Sequence, residues 1–437
     1  MPNNANPLPR ITHIRAFCDP PKQQAVPTGD QGADCHNVSD QHWINGYPSP
    51  IANPMSLYPQ YRSARKSWGI NALGSVVVEV EAEDGTTGVG VSIGGAPACF
   101  LVETHLARFV LGQNPSSIEL MHDQMMRATV NYGRKGLAVQ AVSAVDLSLW
   151  DLLGKLRHAP VFELLGGPVR PILPVYCTTC RPDIAKSMGF VGAKMGCPYG
   201  PAEGDEGLAR NVDFFKKWRD ACGPNFPLAL DCYMAMTVPY TLKLCRSLAP
   251  YNVKWVEEFL LPDDYDGYAE VHEKIAGSVL LTTGEHEYTA KGFQLLLDKK
   301  CCDVLQPDVT WCGGITECRK IIALAAAKGK LVIPHGSSVY SYHLQLAFPN
   351  TPIAEFINLH PTGEELAPYF GGLFPDEPLP VGGRILAKEL GKRAGFGVTL
   401  SKGSLQRPYQ ADAKDLELWR RRNENPDCGV DNSVMPF

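Results

Sequence analysis

From about Ile172 to Phe356 the chain repeats one pattern, a short run rich in Val, Leu and Ile followed by a longer helical stretch. The apolar runs are ILPVYC at 172–177, FVGAKM at 190–195, PLALD at 227–231, VKWVE at 253–257, VLLTTG at 279–284, DVLQ at 303–306, LVIP at 331–334 and IAEF at 353–356. Runs that are apolar at consecutive positions belong to strands buried on both faces, as in parallel sheets. Eight such repeats predict a (β/α)₈ barrel. An open doubly wound sheet is the alternative, but no glycine-rich phosphate turn opens a helix after the first strand.

The flanks have a different texture. A strand is expected over Ile11–Phe17. A hairpin of Val76–Glu83 and Gly88–Ser92 turns at Glu83-Asp84-Gly85-Thr86, whose Asp-Gly suits a tight turn. Helical patterns fill Ala98–Leu111, Ser116–Thr129 and Leu137–Lys155, so strands precede helices as in an α+β unit. The stretch from Pro20 to Arg65 is rich in Pro, Gly, Asn, Asp and aromatics, and a loop of that length often serves as a lid or binding flap. After His360 the chain is Pro/Gly-rich and then charged through Lys414–Arg422, a short helix with its arginines on a solvated face.

Composition narrows the class. The 437 residues carry a net charge of -5, with 44% hydrophobic and 20% charged residues, ordinary for a globular enzyme. No basic stripe asks for nucleic acid. The start, MPNNANPLPR, lacks the apolar core of a secretory signal, and no apolar run approaches the ~18 residues of a membrane span. No membrane partner and a cytoplasmic location are the expectation. The 14 scattered cysteines fit reduced, buried thiols, and Cys177-Thr178-Thr179-Cys180 sits on a strand without a second pair at zinc spacing.

The chemistry lies where the strands end. Lys194 closes the second, Asp231 the third and Glu257 the fourth; Glu285 follows the fifth, Asp308 the sixth and His335 the seventh, with Glu355 in the eighth. From Asp231 the spacings are 26, 28, 23, 27 and 20 residues, one strand–helix unit each. A barrel brings all these ends to one mouth. Asp231, Glu257 and Glu285 on successive strands suit a hard divalent cation such as Mg2+. Glu258 competes with Glu257, although strand alternation sends the two to opposite sides. The competing account of the carboxylates is a buried ion-pair set with Lys194, disfavoured by their mutual repulsion. A His335–Asp308 pair would fix the imidazole tautomer and let one nitrogen take and return a proton. His286, beside Glu285, is read equally as a catalytic group or as a neighbour of the metal set.

At these residues the chain resembles the enolase superfamily, in its mandelate-racemase-like branch, and within it the L-rhamnonate dehydratases. The resemblance rests on Gly192-Ala193-Lys194-Met195, Leu230-Asp231-Cys232, Trp255-Val256-Glu257-Glu258, Gly284-Glu285-His286, Gln306-Pro307-Asp308-Val309, Trp311-Cys312-Gly313-Gly314 and Val332–Tyr340. Asn53-Pro54-Met55-Ser56 and Ser67-Trp68-Gly69-Ile70-Asn71 agree in the N-terminal part. It implies a modified (β/α)₇β barrel over 161–360, an α+β cap over 1–160 with a substrate-closing loop at about 20–65, and a segment 361–437 that completes the cap. It makes Asp231, Glu257 and Glu285 ligands of Mg2+, His335 the base and Asp308 its orienting partner. Glu355 would hydrogen-bond a developing enolate. His42 and Arg65 would close over the substrate, with His36 competing for the place of His42, and Lys194 would bind substrate. Many relatives carry Lys-x-Lys at the second strand, but Gly196 replaces the second lysine here, which favours elimination through one histidine. The implied reaction is dehydration of L-rhamnonate, a small acid sugar, in a homo-oligomer. Dehydration of a mannonate, lyxonate or fuconate, an aldolase or hydrolase on a similar barrel, and a non-catalytic sugar-acid binder are the alternatives.

Overall fold

The computed structural model describes residues 8–19, 42–46, 50–62, 73–275, 277–425 and 429. The cap sheet orders β1 (Ile11–Phe17), β2 (Ser75–Ala82) and β3 (Thr87–Ile93), all antiparallel. Its turn forms as the sequence predicts. Gly85 takes φ 82°, and the Asp84 carboxylate accepts the Thr86 N–H at 2.9 Å. Behind the hairpin lies the helix Leu137–Leu156, sixteen of whose residues are buried. By length and composition it is apolar enough to cross a membrane, although polar residues interrupt its apolar runs, but here it is the core of the cap. The helices expected upstream are present as Gly95–Thr104, with a short turn Leu106–Phe109, and Ile118–Ala128.

All eight expected apolar runs contribute a parallel strand. These are β4 (Ile172–Thr178), β5 (Ala193–Gly196), β6 (Leu228–Asp231), β7 (Val253–Glu257), β8 (Leu280–Thr283), β9 (Val304–Leu305), β10 (Leu331–Val332) and β11 (Ala354–Ile357). Their curled order is β10-β9-β8-β7-β6-β5-β4-β11, the barrel that the eight repeats predict. At the seam between the two ends, the Gly336 N–H donates to Glu355 at 2.8 Å. A further strand, β12 (Arg384–Leu386), runs antiparallel along β4.

Beyond the barrel the chain returns to the cap. Gln406 exchanges backbone bonds with Cys18, and Arg407 grips the buried Glu103 through two bonds of 2.5 and 2.8 Å. The closing helix Ala413–Asn423 sits against the cap, where Asn423 donates to the carbonyls of Arg108 and Leu111. Of the CxxC cysteines, Cys177 is buried on β4 and Cys180, past its end, donates to the Thr362 carbonyl, so the two have separate surroundings.

Candidate active site and metal centre

Strand ends from β5 to β11 place the charged residues in one buried cluster. Asp231, Glu257 and Glu285 are each buried, and they offer oxygen atoms within 4.8 Å of one another. Lys194 bonds Glu257 and lies 2.9 Å from Glu355 and 3.6 Å from Asp231. The expected ion-pair set is therefore real, but it is incomplete, because Lys194 reaches Asp231, Glu257 and Glu355 and forms no ion pair with Glu285. Burial, with Glu285 close by, pushes Asp231 up to about 6 against the pull of Lys194. Burial and the neighbouring Asp231 and Glu355 push Glu257 up to about 7. Burial is the main cause, and the like charges crowded beside them add to it, so the positive charge present does not balance the set. An all-oxygen donor set with that deficit fits a hard divalent cation such as Mg2+.

The ligand candidates are themselves held. Asp231 accepts the Tyr233 N–H at 2.9 Å, and Glu257 accepts from Trp255 Nε1 at 2.9 Å and Gln306 Nε2 at 2.8 Å. Trp255 and Gln306 stand in the motifs of the resemblance without a role of their own there, since only the fold brings them to Glu257.

Glu258 does not follow the expected alternation. Alternation was expected to turn it away from Glu257, but Glu258 lies one residue past β7 with φ 39°, in the left-handed region, where strand geometry has ended. Its carboxylate comes to the same mouth, within reach of Glu285 and His286. There it accepts the His286 backbone N–H at 3.0 Å and pairs with His286 Nδ1 at 2.7 Å. Burial lowers the imidazole pKa, but Glu258 and Glu285 outweigh it and push His286 up to about 9.

His335 follows β10, bridged to Asp308 after β9. Its Nδ1 donates to Asp308 Oδ2 at 2.6 Å, and its Nε2 looks across at Glu285 from 3.4 Å. Burial lowers its pKa, yet Glu285 and Asp308 together push it up to about 10. Asp308 Oδ1 is anchored in turn by the N–H and the hydroxyl of Thr310, both at 2.6 Å. Trp311 lies between the two histidines, 5.6 Å from the ring of His335 and 5.4 Å from that of His286.

Glu355 accepts from Thr178 and Gly336 and is ion-paired with Lys194. Burial would raise it, but Lys194 and His335 bring it below the usual carboxylate range. Glu355 therefore stands at the mouth beside Lys194, which it holds. His42 is buried, with Nδ1 accepting the Ile44 N–H and Nε2 donating to the Leu359 carbonyl at 2.7 Å. With both nitrogens engaged it ties its segment to the chain just past β11. Arg65 and His36 lie outside the described residues.

Comparison with known proteins agrees with this arrangement. Residues 183–404 match the family described as enolase C-terminal domain-like, and residues 64–166 match the mandelate racemase / muconate lactonizing enzyme N-terminal domain. The chain is 53% identical over 382 residues to an L-rhamnonate dehydratase of Saccharopolyspora erythraea, covering 87% of this chain and 96% of that one. A crystal structure of rhamnonate dehydratase from Gibberella zeae complexed with Mg superposes with a TM-score of 0.85 at 45% identity, covering 91% of this chain and 95% of that one. A racemase from Streptomyces coelicolor with bound magnesium has a TM-score of 0.68 at 25% identity, covering 89% and 97%.

Proposed function

The chain belongs to the mandelate racemase / muconate lactonizing enzyme family of the enolase superfamily, and from that membership we propose that it dehydrates L-rhamnonate with Mg2+ as cofactor. The observation that carries the reading is His335 Nε2, 3.4 Å from Glu285 in a three-carboxylate set, with Nδ1 tied to Asp308. Asp231, Glu257 and Glu285 would hold the cation. Mg2+, when bound, withdraws charge from the substrate's carboxylate as a Lewis acid and offsets the pull of Glu285 on the His335 proton.

Asp308 keeps the proton on Nδ1, so Nε2 is the nitrogen that takes the proton from C2. Lys194, fixed by Glu355, donates to the oxygen on which negative charge develops. The imidazolium then returns its proton to the departing 3-hydroxyl. Water and an enol result, and the enol becomes the 2-keto-3-deoxy acid. One histidine serves both transfers, so the proton and the hydroxyl leave from the same face.

Formation of 2-keto acid from L-rhamnonate, abolished by EDTA and restored by Mg2+, is the expected result. His335→Asn should lower turnover by at least about a thousandfold while Mg2+ binding persists. Near-normal turnover by that variant overturns the assignment of the base.

A further inference from the structure

Glu257 meets different partners on its two oxygens. Oε1 is bonded to Lys194. Oε2 accepts two hydrogen bonds, one from the Trp255 indole N–H at 2.9 Å and one from the Gln306 amide at 2.8 Å. A carboxylate oxygen offers two lone pairs, so these two donors fill Oε2. Asp231 is divided in a similar way. Its Oδ1 accepts the Tyr233 N–H at 2.9 Å, and its Oδ2 stands 3.6 Å from Lys194.

Both donors to Glu257 are built into the barrel. Trp255 precedes Glu257 by two residues on β7, and alternate strand residues share a face, so indole and carboxylate project to the same side. Trp255 is buried and packs edge-on against Tyr176, with ring centroids 5.2 Å apart. Gln306 follows β9, where its backbone N–H donates to the Thr283 carbonyl at 3.0 Å. Its side chain is buried, and among the described residues no group donates to its Oε1. A buried amide with one end unanswered is costly. An apolar side chain of the same size would avoid that cost, so packing alone does not call for an amide here. What the amide supplies is its N–H to Glu257.

The consequence concerns the choice of ion. Mg2+ demands a near-ideal octahedron of oxygens, whereas Ca2+ accepts a larger and looser shell and takes both oxygens of one carboxylate. An oxygen already filled by two protein donors is closed to a cation. We propose that Trp255 and Gln306 are positioning residues that restrict Glu257 to a single free oxygen, and that they thereby bias the site towards Mg2+ and against Ca2+. The proposal rests on the reading of Asp231, Glu257 and Glu285 as the Mg2+ set and adds the residues that govern which ion it takes. With one donor removed, Oε2 regains a lone pair and the carboxylate is free to present both oxygens. Ca2+ gains a ligand atom by that change, whereas Mg2+ only loses the orientation of its ligand.

The test titrates Mg2+ and Ca2+ by calorimetry into the full-length protein, stripped of metal and dialysed free of chelator. The wild type is compared with Gln306→Met, which removes one donor at similar volume, and with Trp255→Phe, which removes the other. No turnover enters the measurement. Each substitution should weaken Mg2+ binding by about tenfold and shift the Mg2+ to Ca2+ affinity ratio towards Ca2+ by at least about fivefold. Because the ratio compares two ions on one variant, a general loosening of the barrel cancels out of it. Equal weakening of both ions therefore overturns the proposal, as do unchanged affinities. If Gln306→Met does not fold, Trp255→Phe decides. Mg2+ binding by the wild type with an unshifted ratio in the variants overturns the proposal alone. A wild type that binds no Mg2+ overturns the metal reading beneath it, and the proposal with it.

Discussion

Asp308 divides its oxygens, giving Oδ2 to His335 and Oδ1 to Thr310. Thr310 is in turn tied to the cap, since its carbonyl accepts the Ser92 hydroxyl at 2.5 Å. Removing the Thr310 hydroxyl lets the carboxylate rotate away from the imidazole. Thr310→Val should therefore lower kcat by about tenfold or more with KM nearly unchanged, and Thr310→Ser should restore it, as steady-state kinetics will read. The same cluster sets a pH signature. Asp231 and Glu257, raised to about 6 and 7, and His335, raised to about 10, all bind protons more tightly folded than unfolded. Groups of this kind stabilise the fold at low pH, and that stability is lost as pH rises through their folded pKa values. In EDTA the thermal midpoint should fall by a few degrees between pH 6.5 and 8, at about 1.4 kcal/mol per pH unit for each excess proton. Saturating Mg2+ should flatten that fall, because the cation takes over from the protons. A midpoint that rises with pH in EDTA would contradict the charge deficit at the site.

At the scale of elements, the cap depends on a close approach of β3 to the helix Leu137–Leu156. Gly88 and Gly90 make it possible: a Cβ on Gly88 would lie 2.1 Å from the Ser148 carbonyl oxygen, and one on Gly90 2.0 Å from that of Ala144. Neither backbone can yield without separating hairpin from helix. Gly90→Ala should cost at least about 2 kcal/mol in thermal or denaturant unfolding, well beyond an ordinary surface change. The same helix steadies the loop after β9, since Ser143 accepts the Gly313 N–H at 2.8 Å and Asp146 accepts the Thr316 N–H at 3.0 Å. That loop begins just beyond Asp308, so the cap and the base share a support.

For the whole molecule, the cap is closed by chain that arrives after the barrel is complete. Glu103 is fully buried, and its charge is answered by Arg407, with the Ala16 N–H also donating to it. Removing one partner of a buried pair leaves the other charge unanswered. Arg407→Ala should cost about 3–5 kcal/mol in denaturant unfolding, and Glu103→Gln combined with it should recover part of that loss. On the barrel side, Lys135 of the cap reaches Glu287 at 2.9 Å and Asp263 at 2.8 Å, fastening cap to barrel two residues from Glu285.

What the sequence determined by itself was periodic. Apolar runs spaced by helices specify buried parallel strands, and the polar residue ending each run must arrive at a common mouth; Asp231, Glu257, Glu285, Asp308 and His335 were legible for that reason. Residues whose roles depend on chain leaving the regular period were not. Glu258 changed sides because β7 ends before it, Thr310 and Trp311 stand in an irregular loop, and His42 meets the Leu359 carbonyl, 317 positions away, only once the cap docks. Ile51 and Tyr233 meet over Gly196 across 182 positions of chain, a juxtaposition that no local pattern encodes. Periodicity is written along the chain because it reflects which face each residue buries. The packing of one irregular segment on another is decided only when the fold closes.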